Sequence, residues 1–223
     1  MAKAPRPGTV KTRLTAGLPV DAVTGLYRCL LRDTLALAGS LGDVEVAIMC
    51  PRADVDELTQ FAGEEASVLA QTGEGLAAGL ASVFAHFARD QQRPTIAFNS
   101  DSPHLPRSVL EHAFEKLVAH DVVVGPTEDG GYYLVGAKAS HPTLFERDGM
   151  GTSSALETLL SRAKVLELDV VFADPFYDID VAADLTRLTE ELRLAPTRAP
   201  RTARWLAEWE LAAAQSRTGT GEL

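Results

Sequence analysis

The chain has 223 residues, of which 46% are apolar and 23% charged, and it carries a formal net charge of -10. That balance argues against a nucleic-acid or anionic-membrane binder, which needs clustered Lys and Arg, but it leaves room for a small anionic substrate in a local basic pocket. No apolar run reaches the roughly 18 residues of a membrane span, the opening MAKAPRPG lacks the apolar core of a signal peptide, and Cys29 and Cys50 form neither a metal motif nor a disulfide framework; a cytoplasmic protein with buried free thiols is expected.

Residues 1–20 read as a loop rich in Pro, Gly and basic side chains. Asp21 can cap a helix to about Leu41, with apolar positions at Val23, Leu26, Leu30, Leu37 and Leu41. A strand over 44–50, a short helix over 53–62 and a second strand over 67–71 follow. Residues 73–89 form a helix with an apolar face at Leu76, Leu80, Val83, Phe84 and Phe87. A buried strand at 95–99 leads to a helix over 106–119. The run Val122-Val123-Val124 fits a strand covered on both faces. Gly130-Gly131 interrupts it before a further strand at 132–137. A helix near 153–162 carries a Ser154–Glu157 capping pattern, residues 165–173 are extended, and Asp180 opens a helix to Leu192. The last helix lies within 196–215 and contains Trp205 and Trp209, suited to covering the core or to a homodimer interface. Residues 217–223 are expected to be disordered.

Alternating strands and helices predict a single-domain, three-layer α/β/α protein with a mostly parallel sheet. The hairpin-like 125–137 region makes that sheet mixed. The domain is placed at residues 1–205, and 206–223 form the end of the last helix and the tail. An α/β domain of this type opens with a buried strand feeding its phosphate loop, whereas this chain begins inside the loop; a sheet lacking that strand is expected.

Three segments can carry chemistry. Residues 3–14 hold four cations and no acid before Asp21. Gly8 lets backbone approach a ligand, and Lys11 and Arg13 can hold phosphate oxygens, Lys as a point charge and Arg as a fork. The alternative is a solvated basic terminus. Gly8-Thr9-Val10-Lys11-Thr12 resembles the end of a Walker motif but lacks its Gly-Lys pair. Asp101, in Ser100-Asp101-Ser102-Pro103, sits just past a strand end, where open α/β sheets bind ligands; its competing role is a turn or cap. Glu128-Asp129-Gly130-Gly131-Tyr132 places two carboxylates beside two glycines, able to bind metal, orient a hydroxyl or accept a proton, though Asp-Gly is also a strong hairpin signal. Asp178 and Asp180 share one side of an extended segment. Magnesium takes one or two carboxylates plus phosphate oxygens and water, a set that Asp101 and Asp180 would supply unless Asp180 is only a helix cap.

In order, K-A-P-R-P-G-x-x-K-T-R-L, S-D-S-P-x-L, G-P-x-E-D-G-G-Y-Y-L-V-G and Y-D-I-D-x-x-x-D-L resemble a bacterial glycosyltransferase-like family of the GT-A nucleotide-diphospho-sugar transferase fold. That family is distantly similar to phospholactate and molybdenum-cofactor guanylyltransferases, and the resemblance covers residues 2–205. It implies nucleotide binding by Lys3, Ala4, Pro5, Gly8, Lys11 and Arg13, with Gln71 to Gly75 near the base. It also implies Mg²⁺ or Mn²⁺ on Asp101 and Asp180, and an acceptor near Glu128, Asp129, Gly130, Gly131 and Tyr132. Lys11, Asp101 and Asp129 are the candidate catalytic residues. The expected activity is metal-dependent glycosyl transfer from a nucleotide-diphospho-sugar to a small acceptor. The alternatives are a nucleotidylyltransferase that joins a nucleoside triphosphate to a phosphorylated acceptor, and a non-catalytic nucleotide-binding protein.

Overall fold

A computed structural model describes residues 1–88, 93–146, 150–151 and 153–218. Among the described residues, six strands form two sheets. β1 (Ala47–Cys50) and β2 (Ser67–Ala70) pair in parallel, with Ala47 opposite Ser67. β3 (Thr95–Phe98), β4 (Val122–Pro126), β5 (Tyr132–Ala137) and β6 (Val170–Phe172) make the second sheet in the order β3-β5-β4-β6. β5 runs against both β3 and β4, and β4 runs with β6. The mixed sheet is therefore β3, β4 and β6 in one direction with β5 reversed. The reversal is local. Thr127 N–H donates to the Gly131 carbonyl across a tight turn, and Gly130 takes a φ of 87°, in a spot where a Cβ would run into the Ser153 carbonyl.

Helices cover both faces. They are α1 (Val20–Gly39), α2 (Val55–Ala62), α3 (Gly75–Phe87), α4 (Arg107–Ala119), α5 (Ala155–Val165), α6 (Ala182–Leu194) and α7 (Pro200–Thr218). The valine run of β4 shows why its side chains are all apolar. Val122 and Val124 pack in one cluster with Phe84 of α3 and Leu159 of α5, while Val123 packs in another with Leu110 and Leu117 of α4. Successive strand residues face opposite layers, so a strand covered twice has no polar side to offer. A third cluster joins α1, α2, α6 and α7 around Leu26, Leu30, Leu58, Leu188 and Leu206. Leu206 is buried there, so the core extends past residue 205.

The two sheets are not hydrogen-bonded to each other. β1 and β3 do not pair with each other; an apolar groove of about 700 Å³, walled by Ala47, Ile48, Met49 and by Thr95 to Phe98, lies between the two sheets. The first two residues bridge its end. Met1 amine donates to the Phe98 carbonyl at 2.9 Å, and Ala2 N–H donates to the Met49 carbonyl at 3.3 Å.

Boundaries shift in places for physical reasons. Residues 165–169, expected to be extended, are the end of α5 and a turn, and only Val170–Phe172 pairs with β4. Ser154 is the N-cap residue of α5. Of the tail expected to be disordered, 217 and 218 belong to α7, and the remainder lies outside the described residues, as does Arg89 at the end of the predicted third helix. Trp205 and Trp209 stack with ring centroids 5.6 Å apart, and Trp205 also abuts Gly25 of α1. Both cysteines are free thiols, Cys50 buried and Cys29 half-buried. No helix among the described residues is long and apolar enough to cross a membrane.

Candidate functional site

The basic loop is a fixed structure, held from three sides. Ala4, Val10 and Leu14 are buried in the core. Asp54, itself buried, accepts the Ala4 N–H at 3.0 Å and the Arg6 guanidinium at 2.6 Å. Arg6 also donates to Glu57 at 2.8 Å and to the Ala53 carbonyl at 2.9 Å. Its fork is spent on holding the loop, so Arg6 is not placed for a ligand. Tyr27 completes the anchorage, with its hydroxyl 3.2 Å from both Lys3 N and Ser100 Oγ and 3.3 Å from the Lys3 carbonyl. Asp54 and Tyr27 were not legible as site residues, because each acts through backbone groups far away in sequence. Replacing Asp54 by Ala leaves the buried Ala4 N–H without an acceptor, a loss of about 1–3 kcal/mol. The expected result is a lower urea midpoint and faster trypsin cleavage after Lys11 and Arg13; unchanged values for both would show that Asp54 does not anchor the loop.

Lys11 is the centre of the site. Its ammonium lies 2.9 Å from Asp101 Oδ2 and 2.8 Å from Asp180 Oδ1, and its side chain is only 6% exposed. Burial disfavours the ammonium, but the two carboxylates outweigh it and hold the Lys11 pKa above its usual value. Arg13, exposed, reaches Asp180 at 3.4 Å. Neither carboxylate is consumed as a helix cap. α4 begins at Arg107, well after Asp101. At the start of α6 the carboxylate of Asp184 accepts the N–H groups of Asp180 and Val181 at 2.9 and 2.8 Å, which leaves the Asp180 side chain to Lys11.

Asp178 belongs to the same group. It accepts from Asn99 Nδ2 at 2.6 Å and Ser102 Oγ at 3.2 Å. Burial, and then the Asp101 charge, push its pKa up to about 6. A carboxyl with a higher pKa folded than unfolded costs stability as pH rises. The cost is absent below about pH 4, grows between about 4 and 6, and is complete above. Asp178→Asn keeps the accepting oxygen and removes the charge. Its melting temperature should exceed that of the parent at pH 7.5 and match it near pH 4; an equal gain at both pH values would contradict this assignment.

A cavity of about 1080 Å³ opens over these groups. Lys3, Thr9, Lys11, Arg13, Arg52, Asp101, Asp178 and Asp180 face it, together with Gln71, Gly73, Gly75 and Tyr132. Gln71 Nε2 donates to the Gly73 and Gly75 carbonyls at 3.0 and 3.1 Å, fixing the loop at the start of α3. Arg52 has no sequence signal beyond its charge; the 3-10 turn Arg52–Asp54 after β1 brings it to the cavity. Ala4 and Pro5 lie behind the loop surface, and Gly8, at φ 74°, shapes it.

The Glu128–Gly131 segment does not line this cavity, though Arg13 is near enough for its charge to act on Asp129. Asp129 Oδ1 accepts from Thr127 Oγ1 at 2.6 Å and Gly131 N–H at 3.1 Å. The first bond dominates in keeping the Asp129 pKa below its usual value. Glu128 pairs with Arg187 at 3.2 Å, and Arg187 lies over the Tyr177 ring at 3.7 Å. Here the turn role of the Asp-Gly pair is realised.

Residues 34–152 match the model of a family described as an uncharacterized protein conserved in bacteria, DUF2064. The chain belongs to that family. The DUF2064 chain superposes on a provisionally named nucleotide-diphospho-sugar transferase of Desulfovibrio desulfuricans G20 with a TM-score of 0.84 and 26% identity, covering 96% of this chain and 94% of the other. A 4-diphosphocytidyl-2C-methyl-D-erythritol synthase of Anaerococcus prevotii DSM 20548 shares the fold at TM-score 0.55 and 11% identity, over 74% of this chain and 86% of that one. Rv0371c of Mycobacterium tuberculosis H37Rv does so at 0.50 and 20%, over 72% and 84%. No curated protein matches the sequence. The fold is that of the nucleotide-diphospho-sugar transferases, as the four motifs imply.

Proposed function

We propose that this DUF2064 protein is a metal-dependent transferase that takes its donor from a nucleotide-diphospho-sugar. The observation that carries the reading is the Lys11 ammonium, bridged between Asp101 and Asp180 in a cavity shared with the residue 71–76 loop. Among the described residues no set of three His, Cys, Asp or Glu side chains is arranged to hold a metal. Two carboxylates already bridged by one cation do fit a magnesium or manganese ion, which fills its other positions with phosphate oxygens and water. Asp101 and Asp180 would hold that ion, and it would neutralise the departing diphosphate.

The chain's own groups supply the rest. Lys11 and Arg13 stabilise charge on the leaving phosphate oxygens, Lys as a point charge and Arg as a fork. Backbone groups of residues 73–76, held by Gln71, face the base. Tyr132 lines the acceptor side, and the Glu128–Gly131 turn sets its position. Asp129, kept ionised by two hydrogen bonds, orients rather than abstracts, since an efficient general base has a pKa near the working pH.

A second reading, nucleotidylyl transfer, rests on Lys3 and Arg52, which also face the cavity and add enough cationic charge for a triphosphate. Incubation with sugar nucleotides and with each nucleoside triphosphate, plus sugar, sugar-phosphate and phosphorylated small-molecule acceptors, separates the two. Nucleoside diphosphate release from one sugar nucleotide supports glycosyl transfer, and pyrophosphate release from one triphosphate supports nucleotidylyl transfer. Binding of a nucleotide with neither product, unaffected by EDTA or by Asp101→Asn, would leave a non-catalytic binding protein.

A further inference from the structure

In this structure the cation between Asp101 and Asp180 is part of the protein. Lys11 directs its ammonium to both carboxylates from a nearly closed position. Its backbone is left-handed, at φ 48° and ψ 40°; among the described residues Glu167 is the other non-glycine with a positive φ. That conformation costs free energy in a non-glycine residue and persists only where its surroundings impose it. Here Leu14 N–H donates to the Lys11 carbonyl at 2.9 Å, and the buried Val10 and Leu14 side chains hold the backbone on either side.

We propose that Lys11 is a resident counter-ion which excludes a divalent ion from Asp101 and Asp180 until a phosphate-bearing ligand draws it away. This rests on the metal reading above. A divalent ion arriving alone must expel a buried ammonium and leave it without a partner. Without Lys11, the one other ion pair to Asp101, Asp178 or Asp180 among the described residues is Arg13 with Asp180 at 3.4 Å, while Lys3 and Arg52 face the cavity without pairing to these carboxylates. A diphosphate in the same cavity offers the displaced ammonium a new anion. Metal and nucleotide therefore bind with positive coupling, each lowering the cost of the other. Lys11 changes partner from carboxylate to phosphate as the site fills.

The test is Mn²⁺ binding to the full chain without nucleotide, followed by electron paramagnetic resonance. Lys11→Met should bind Mn²⁺ on the order of tenfold or more tightly than the parent, and adding Asp101→Asn should abolish that gain. A second measurement needs no variant. Acetylation of Lys11 by an N-hydroxysuccinimide ester, read by mass spectrometry, should be slow in the parent protein and should accelerate at saturating Mn²⁺. If the parent binds Mn²⁺ through Asp101 as tightly as Lys11→Met does, or if Lys11 stays protected while Mn²⁺ is bound there, the counter-ion role is wrong and the metal reading survives. If neither protein binds Mn²⁺, or Asp101→Asn leaves binding unchanged, both ideas fall.

Discussion

Lys11→Ala is expected to lower turnover by at least about 100-fold while the protein stays folded. The loss follows from the role proposed for the ammonium. A donor aimed at charge that develops in the transition state is worth about 2.7–4 kcal/mol when removed. Among the described residues no other buried cation reaches both Asp101 and Asp180, and Lys3 and Arg52 face the cavity without an ion pair to either carboxylate. Arg13 is exposed and already shared with Asp180, and Arg6 is committed to Asp54 and Glu57. The cost in stability is smaller than the roughly 3–5 kcal/mol of breaking a fully buried pair, because Asp101 is 26% exposed and Asp180 43% exposed, so water can solvate the charges left behind. Steady-state turnover of the Ala variant, with its melting curve as a control, checks this. Near-normal turnover would remove Lys11 from the chemistry.

Asp33→Ala is the substitution expected to cost most in stability. The Asp33 side chain is completely buried, yet it is ionisable. It accepts from Thr202 N–H and Thr202 Oγ1, both at 2.8 Å, and from Arg201 N–H and Arg201 Nη1 at 3.3 and 3.4 Å. A carboxylate on α1 thus satisfies the first turn of α7, where unpaired N–H groups and the helix dipole favour negative charge. Truncation orphans the buried Thr202 donors and leaves Arg201 without its anion. About 3–5 kcal/mol should be lost, which for a domain of this size lowers the melting temperature by roughly 6–20 °C. Urea unfolding of parent and variant measures the difference; a loss below about 1 kcal/mol would show that α7 docks by apolar contact alone.

Much of the fold was readable because its signals are local. The Val122-Val123-Val124 run reports double burial directly, and Gly130-Gly131 marks the reversal before β5. Asp101 was expected just past a strand end, and it lies there on the cavity wall. The alternation of Asp178 and Asp180 put both on the cavity. What escaped the sequence depends on distant partners. Nothing near Asp54 says that its carboxylate will meet Ala4 and Arg6, and nothing near Asp33 points to Thr202. The fate of each carboxylate was equally hidden. Asp129 and Asp180 look alike as turn or cap residues, but Asp184 takes over the cap at α6 while no neighbour relieves Asp129 of its turn. Cation count misled in the same way, since Arg6 is structural and Arg52, outside the loop, faces the cavity.

The central claim is that one cavity binds a nucleotide through Lys11 and a divalent ion on Asp101 and Asp180. It is tested most directly by thermal shift of the parent protein and Asp101→Asn with GTP, CTP, UTP, TTP, GDP-sugars and UDP-sugars, each with Mn²⁺ or with EDTA. One ligand at 100 times its dissociation constant should stabilise the parent by about 2.7 kcal/mol. That shift should need Mn²⁺ and vanish in Asp101→Asn. A shift of the same size in EDTA and in the variant, or no shift with any ligand, would contradict the account.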